Sequence, residues 1–226
     1  MKKHIFLSLI TIWLSGTLVQ AATYTDPKLP VSKRVQLLMS KMTLEEKIAQ
    51  MDMFAVWDLE KYKNSTLANG EGIGAFIGDI TPEKYNEIQA LSEKTRLKIP
   101  FLIGVDAAHG HALMQGRTVF PTSISMEATF NPELVYRAAQ LSAKEIRACG
   151  NQWTFAPCID IVHDARFGRT GETYGECPFL TSVLVRKAVQ GLQDNDDPQQ
   201  RVAACVKHLL GGGASIGGVN HGNAEI

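Results

Sequence analysis

Past the first 30 residues, hydrophobic and polar positions fall into a repeating order. The stretch VSKRVQLLMSKM (31–42) sets Val35, Leu38, Met39 and Met42 at helical spacing. TLEE follows, with Thr43 as a fitting N-cap and Glu46 three residues on, the spacing of a capping box. Leu44, Ile48 and Met51 then line one side of a second short helix. Both apolar stripes are expected to face a core. After a polar loop the pattern becomes short apolar runs separated by amphipathic ones. IGAFI (73–77), PFLIGVD (100–106), WTFAP (153–157) and RVAACV (201–206) read as four strands. Between them, TPEKYNEIQALSEKTR carries Thr81 and Pro82 at its start. NPELVYRAAQLSAKEIRACG opens on Asn131 and Pro132 and closes near Gly150, and a third helix is expected at about 179–193.

Buried strands alternating with helices predict a parallel sheet covered by helices. An open doubly wound sheet and a (β/α)8 TIM-like barrel both fit this order. A barrel needs eight strands and typically about 250 residues. With four strands counted, the expectation for a barrel is its N-terminal portion only.

Composition narrows the class. With 45% hydrophobic and 20% charged residues the chain is ordinary for a globular protein. Its formal net charge is zero, so no basic excess draws it to nucleic acid or an anionic membrane. The first 21 residues stand apart. Lys2 and Lys3 precede the apolar run IFLSLITIWLSGTLV, and small Ala21 ends the stretch. This pattern predicts a signal peptide over 1–21, export to the periplasm or beyond, and no membrane attachment after cleavage. The domain expectation is therefore a signal peptide at 1–21 and one partial barrel domain at 22–226. Cys149, Cys158, Cys177 and Cys205 follow no CxxC or zinc spacing and are expected as free thiols or at most one bridge.

Charged side chains gather where strands end. Asp106 closes the second predicted strand, Arg166, Arg169, Glu172 and Glu176 follow the third, and Lys207 and His208 close the fourth. In parallel α/β folds that rim is where ligands bind. The glycine-rich GGGASIGG matches no phosphate loop, and no GxSxG elbow or HExxH helix occurs. His109, His111, His163, His208 and Asp106 form no metal-binding spacing, so no cofactor is expected. Asp, Arg, Lys and His together suit the hydroxyls of a sugar, each charged hydrogen bond contributing about 1.5–3 kcal/mol. Trp57 and Trp153 are aromatics that can stack on a sugar face, but both are expected in the core.

The longer motifs IPFLIGVDAAHGH, VFPTSISMEATFNPELV, FAPCIDIVHDARFGRTGETYGE and VAACVKHLLGGGASIGGVNHGNAEI, in this order, resemble the N-terminal domain of glycoside hydrolase family 3. The likeness runs from about residue 28 to the end, nearer the exo-glucosidase and periplasmic β-glucosidase branch. It departs in detail, with Leu209 where Phe commonly follows Lys-His and His163, Ala165 and Phe167 where Arg, Pro and Trp are frequent. The resemblance implies a retaining, β-glucosidase-like hydrolase acting on terminal β-D-glucosyl residues of β-glucosides or β-glucan oligosaccharides. It implies Asp106, Arg169, Lys207 and His208 as the side chains that hold the sugar, with Glu172 supporting Arg169. Retaining hydrolysis also needs a nucleophile and an acid/base carboxyl. The family's SD-type nucleophile motif is absent from these 226 residues. Asp160, Asp164 and Glu176 stand in no context that makes them replacements. The expectation is thus an N-terminal fragment that grips sugar without breaking the bond; the alternative is a non-catalytic sugar-binding or structural module on the same scaffold.

Overall fold

The computed structural model describes residues 23–66, 70–209 and 211–224, and the expected signal peptide at 1–21 lies outside them. The chain divides into two compact units, Met1–Met42 and Thr43–Ile226. In the first, helix α1 spans Val31–Lys41. Arg34 Nε donates to the Tyr24 carbonyl at 2.7 Å, and the Lys41 ammonium sits 5.3 Å from the centre of the Tyr24 ring. None of its residues is buried. The expected core-facing stripe therefore does not hold: Val35 and Met39 are both exposed.

The second unit is built on one parallel sheet of strands β1 (Met53–Ala55), β2 (Ala75–Ile77), β3 (Leu102–Val105), β4 (Trp153–Thr154) and β5 (Ala203–Ala204). Neighbours in sequence are neighbours in space, in the order β1-β2-β3-β4-β5. A doubly wound sheet reverses its strand order at a switch point. The unbroken order seen here is that of a (β/α) barrel, and the fold is the N-terminal portion of a TIM-like barrel. The sequence pattern located β2 to β5 and missed β1. Its apolar run MFAVW is too short to separate from a loop or helix by periodicity. It also runs straight into a 3-10 turn at Val56–Asp58 and helix α3 (Leu59–Asn64).

The helices start where the sequence places their caps. Thr43 opens α2 (Leu44–Ala49), its hydroxyl accepting from Glu46 N at 3.2 Å while Glu46 Oε2 accepts from Thr43 N at 2.9 Å. Thr81 opens α4 (Pro82–Ser92) by accepting from Lys84 N at 3.3 Å. After a short helix α5 (Ser123–Glu127), Asn131 opens α6 (Pro132–Cys149), its Oδ1 accepting from the N–H groups of Glu133 and Leu134. Gly150, at φ 103°, ends it in the left-handed conformation that costs glycine least. Helix α7 (Pro178–Gln193) leads to β5.

One face of the sheet carries the core. Phe76, Phe101 and Ile103 pack with Tyr62, Ile73, Ile80, Ile88 and Leu91, and Tyr62, Phe76 and Phe101 meet edge to face at 5.3–5.8 Å. Further along, Val105 packs with Ala143, Ile146, Leu192 and Val202. The stripe expected to bury α2 is reversed. Leu44, Ile48 and Met51 are exposed, whereas Glu46 and Ala49 are buried. Polar anchoring decides the orientation: Glu46 forms a two-point ion pair with Arg96, whose Nε lies 2.7 Å from Oε1, and Gln50 donates to the carbonyls of Gly72 and Ile73. Trp57, expected in the core, is also exposed, while Trp153 is half-buried.

Candidate functional site

Parallel strands point the same way, so their carboxyl ends share a rim. Asp106 follows β3 directly, the loop after β4 holds residues 158–172, and Lys207 and His208 follow β5 closely. Cys158 and Lys207 extend the β4–β5 pairing as an isolated bridge, which carries the rim one step past the strands. Two cis peptides lie here, Ala156–Pro157 and Lys207–His208.

All four sequence-predicted residues come together in one connected chain of charge. Lys207 Nζ donates to Asp106 Oδ1 at 2.7 Å and sits 3.9 Å from Glu172 Oε2. Glu172 takes Arg169 in a two-point pair, Nε to Oε1 at 2.7 Å and Nη2 to Oε2 at 2.8 Å. Arg169 Nη1 lies 3.1 Å from His208 Nε2. His208 Nδ1 is 2.7 Å from Asp160 Oδ2. Since guanidinium only donates, Nε2 accepts from Arg169 and the ring proton sits on Nδ1, donated to Asp160. The Arg169 hydrogen bonds hold the Glu172 carboxyl below its ordinary range, burial working against them, and the same bonds push the Arg169 guanidinium up. The arrangement leaves Glu172 anionic and holds Arg169 flat by both ends of its fork, a rigid donor rather than a floating charge.

The sequence places Asp160 in no catalytic context and assigns it no partner. In the structure it is buried and orients His208. The available signal was its place just past a strand, two residues from Cys158 and so on the same side of an extended segment. The other charged residues of that loop do not join. Asp164 and Arg166 pair with each other in solvent, where the Arg166 hydrogen bonds draw the Asp164 carboxyl down to about 2. Glu176 lies beside Glu127, whose carboxyl is raised by burial and then by that negative neighbour. Of the HGH pair, His109 Nδ1 lies 3.0 Å from the Phe120 carbonyl, and fully buried His111 lies 3.4 Å from Asp79. An apolar cavity lined by Ala107, Val135, Ala139, Tyr174, Ala188 and Leu192 lies behind the rim, and none of the four charged residues lines it. The four cysteines are free thiols, two of them buried.

The rim of parallel strands brings together an ammonium, a guanidinium, an imidazole and two carboxylates, groups whose chemistry is to donate to and accept from hydroxyls. The Glycosyl hydrolase family 3 N terminal domain matches residues 43–225, and the chain belongs to that family. Its relatives include a periplasmic beta-glucosidase of Salmonella typhimurium, 32% identical over 84% of this chain and 24% of the relative. They also include a xylan 1,4-beta-xylosidase of Xylanibacter ruminicola, 32% identical over 92% of this chain and 22% of the relative. Among solved structures, a mutant beta-glucosidase from Listeria innocua in complex with laminaribiose superposes with a TM-score of 0.79 at 33% identity, over 88% of this chain and 29% of that one. The chain thus spans about a quarter of the length of these relatives.

Proposed function

We propose that this chain supplies the sugar-holding part of a retaining glycosidase that removes terminal β-D-glucosyl or related β-xylosyl residues. The observation that carries the reading is the continuous chain Asp106–Lys207–Glu172–Arg169–His208. Each member is already held by its neighbours, so a sugar meets donors and acceptors whose positions are fixed before it arrives. Preorganisation of this kind limits the ordering entropy lost on binding. Asp106 accepts from ring hydroxyls while Lys207 and Arg169 donate to them. Asp160 is a positioning residue, keeping His208 in one tautomer. The nucleophile and the acid/base are assigned to polypeptide outside these 226 residues, because no SD-type motif occurs within them.

The reading is tested by titrating the 226-residue chain with glucose or laminaribiose and following tryptophan fluorescence and NMR shifts. Weak saturable binding is expected, about tenfold or more weaker in Asp106→Ala, since a charged hydrogen bond is worth about 1.5–3 kcal/mol. Equal binding by Asp106→Ala would place the sugar elsewhere. An aryl β-glucoside should be bound without turnover, and turnover at ordinary glycosidase rates would relocate the catalytic carboxylates into this chain.

We further propose export with cleavage after Ala21, on the basic start and apolar run of residues 2–18. A named relative is periplasmic, which supports this. N-terminal sequencing of protein recovered from the periplasm should read from Ala22; a start at Met1 in that fraction would refute cleavage.

A further inference from the structure

The sugar-holding role uses His208 from one side of its ring. The other side faces its positioning partner Asp160, and beyond it Cys158, whose presence that role leaves unexplained. Asp160 Oδ2 lies 2.7 Å from His208 Nδ1 and 3.1 Å from Cys158 Sγ. The ligating atoms of the three residues all lie within 4.8 Å of one another. Cys158 and Asp160 are each 4% exposed. Asp160 Oδ1 is buried with no hydrogen-bond partner among the described residues, and its side chain is 1% exposed.

We propose that Cys158, Asp160 and His208 form a three-ligand site for a borderline-soft divalent cation of the Zn²⁺ class, with the fourth position open. A thiolate, a carboxylate and an imidazole are a donor set of that class. Zinc–ligand bonds of about 2.0–2.3 Å in tetrahedral array set their ends roughly 3.3–3.6 Å apart. The observed 2.7 and 3.1 Å are hydrogen-bond lengths, so seating the ion needs an opening of about half an ångström. The carboxylate and thiolate charges together offset the dication. A thiol binds such an ion only as thiolate, so the Cys158 proton leaves to solvent as the ion enters.

The site is coupled to the rim through one ring. When the cation takes Nδ1 of neutral His208, the ring proton moves to Nε2. That nitrogen now donates, and it faces Arg169 Nη1, also a donor, at 3.1 Å. The Arg169–His208 contact and the bound cation therefore exclude each other. The cation is expected to antagonise any ligand that needs Arg169 and His208 as they stand. The sequence spacing gave no sign of this set, because its members come from two loops that only the β4–β5 pairing brings together.

The test uses the full chain carrying Cys177→Ser, which removes the one exposed thiol as a competitor. Cd²⁺ is titrated while the thiolate-to-cadmium ultraviolet charge-transfer band is followed. One equivalent should saturate the band. Adding Cys158→Ser should abolish it and Asp160→Asn should weaken it at least tenfold. Arg169→Met should tighten binding by about tenfold, the order seen for groups that contact a metal's ligands. Zn²⁺ should raise the melting temperature of the Cys177→Ser chain and not of the version lacking Cys158. A band that persists at equal strength without Cys158, or never appears, overturns the site. If the Cys158 variant does not fold, the Arg169→Met arm decides: tighter Cd²⁺ binding upholds the proposal and unchanged binding rejects it.

Discussion

The two faces of the five-stranded sheet have different residues because they meet different surroundings. On the helix-covered face, Phe54, Phe76 and Ile103 stand in register across β1, β2 and β3, and Phe76 and Ile103 are fully buried. On the other face Met53, Ala75 and Leu102 stand in register one position earlier, and Leu102 is 53% exposed. Gly104 follows on that face, where a Cβ would lie 2.6 Å from the ring of Phe155. One face has a continuous cover within the described residues; on the other Ala75 and Gly104 are buried while Met53 and Leu102 stay exposed. Barrel interiors are filled by inward-pointing side chains of the whole ring of strands. Five strands furnish part of that layer. The stability of this chain should therefore rest almost entirely on the covered face.

The sharpest test of that asymmetry is Phe76→Ala. The ring makes edge-to-face contacts with Tyr62 and Phe101 and is closed off from water, so its removal leaves a cavity. A loss of about 3–5 kcal/mol is expected from such truncations, read as a lower urea midpoint with an unchanged slope. A loss under 1 kcal/mol would mean that the aromatic cluster is not the centre of the core.

A smaller effect separates His111 from the charged rim. His111 is fully buried, and neither ring nitrogen has a hydrogen-bond partner among the described residues. Burial lowers its pKa, with the negative charge of Asp79 working against it. The folded value thus lies below the unfolded one, near 6.5. Below that unfolded value the unfolded chain takes up the proton more readily than the folded one. The stabilising contribution is complete above about pH 6.5 and is lost as pH falls from there through the folded value. Urea midpoints measured from pH 7.5 down to 5 should fall for the parent chain and fall less for His111→Gln. A parallel fall in both would assign the acid sensitivity to other groups.

The sequence disclosed what depends on local chemistry and obscured what depends on partners. Thr43, Thr81 and Asn131 were readable as caps because a side chain bonding an N–H two or three residues ahead is a local event. The strand ends carrying Asp106 and Lys207 were readable because an apolar run that stops at a charge marks its own end. The orientation of α2 was not, since Leu44, Ile48 and Met51 form as good an apolar stripe as any buried one. Only the Arg96 partner of Glu46, fifty residues away, turns the helix the other way. Asp160 was hidden for the same reason: its role lies in a bond to His208, 48 residues on. Strand β1 was lost to brevity, three residues giving no usable period.

The smallest expected effect closes the comparison between the faces. Leu102 sits in the middle of a parallel sheet, a position that on the covered side would be among the most sensitive in the molecule. Here more than half of its surface meets solvent, so Leu102→Ser gives up little buried area. At about 25 cal/mol per Å² the lost burial is a fraction of that for a core leucine. The remaining cost is a modest drop in strand preference. The urea midpoint should move by the equivalent of about 0.5 kcal/mol or less, against several kcal/mol for Phe76→Ala one register position away on the opposite face. A loss of 2 kcal/mol or more would show that this side of the sheet is covered in solution, by a second copy of the chain or by a segment outside the described residues. Repeating the measurement at two protein concentrations separates these covers, since only self-association makes the midpoint concentration-dependent.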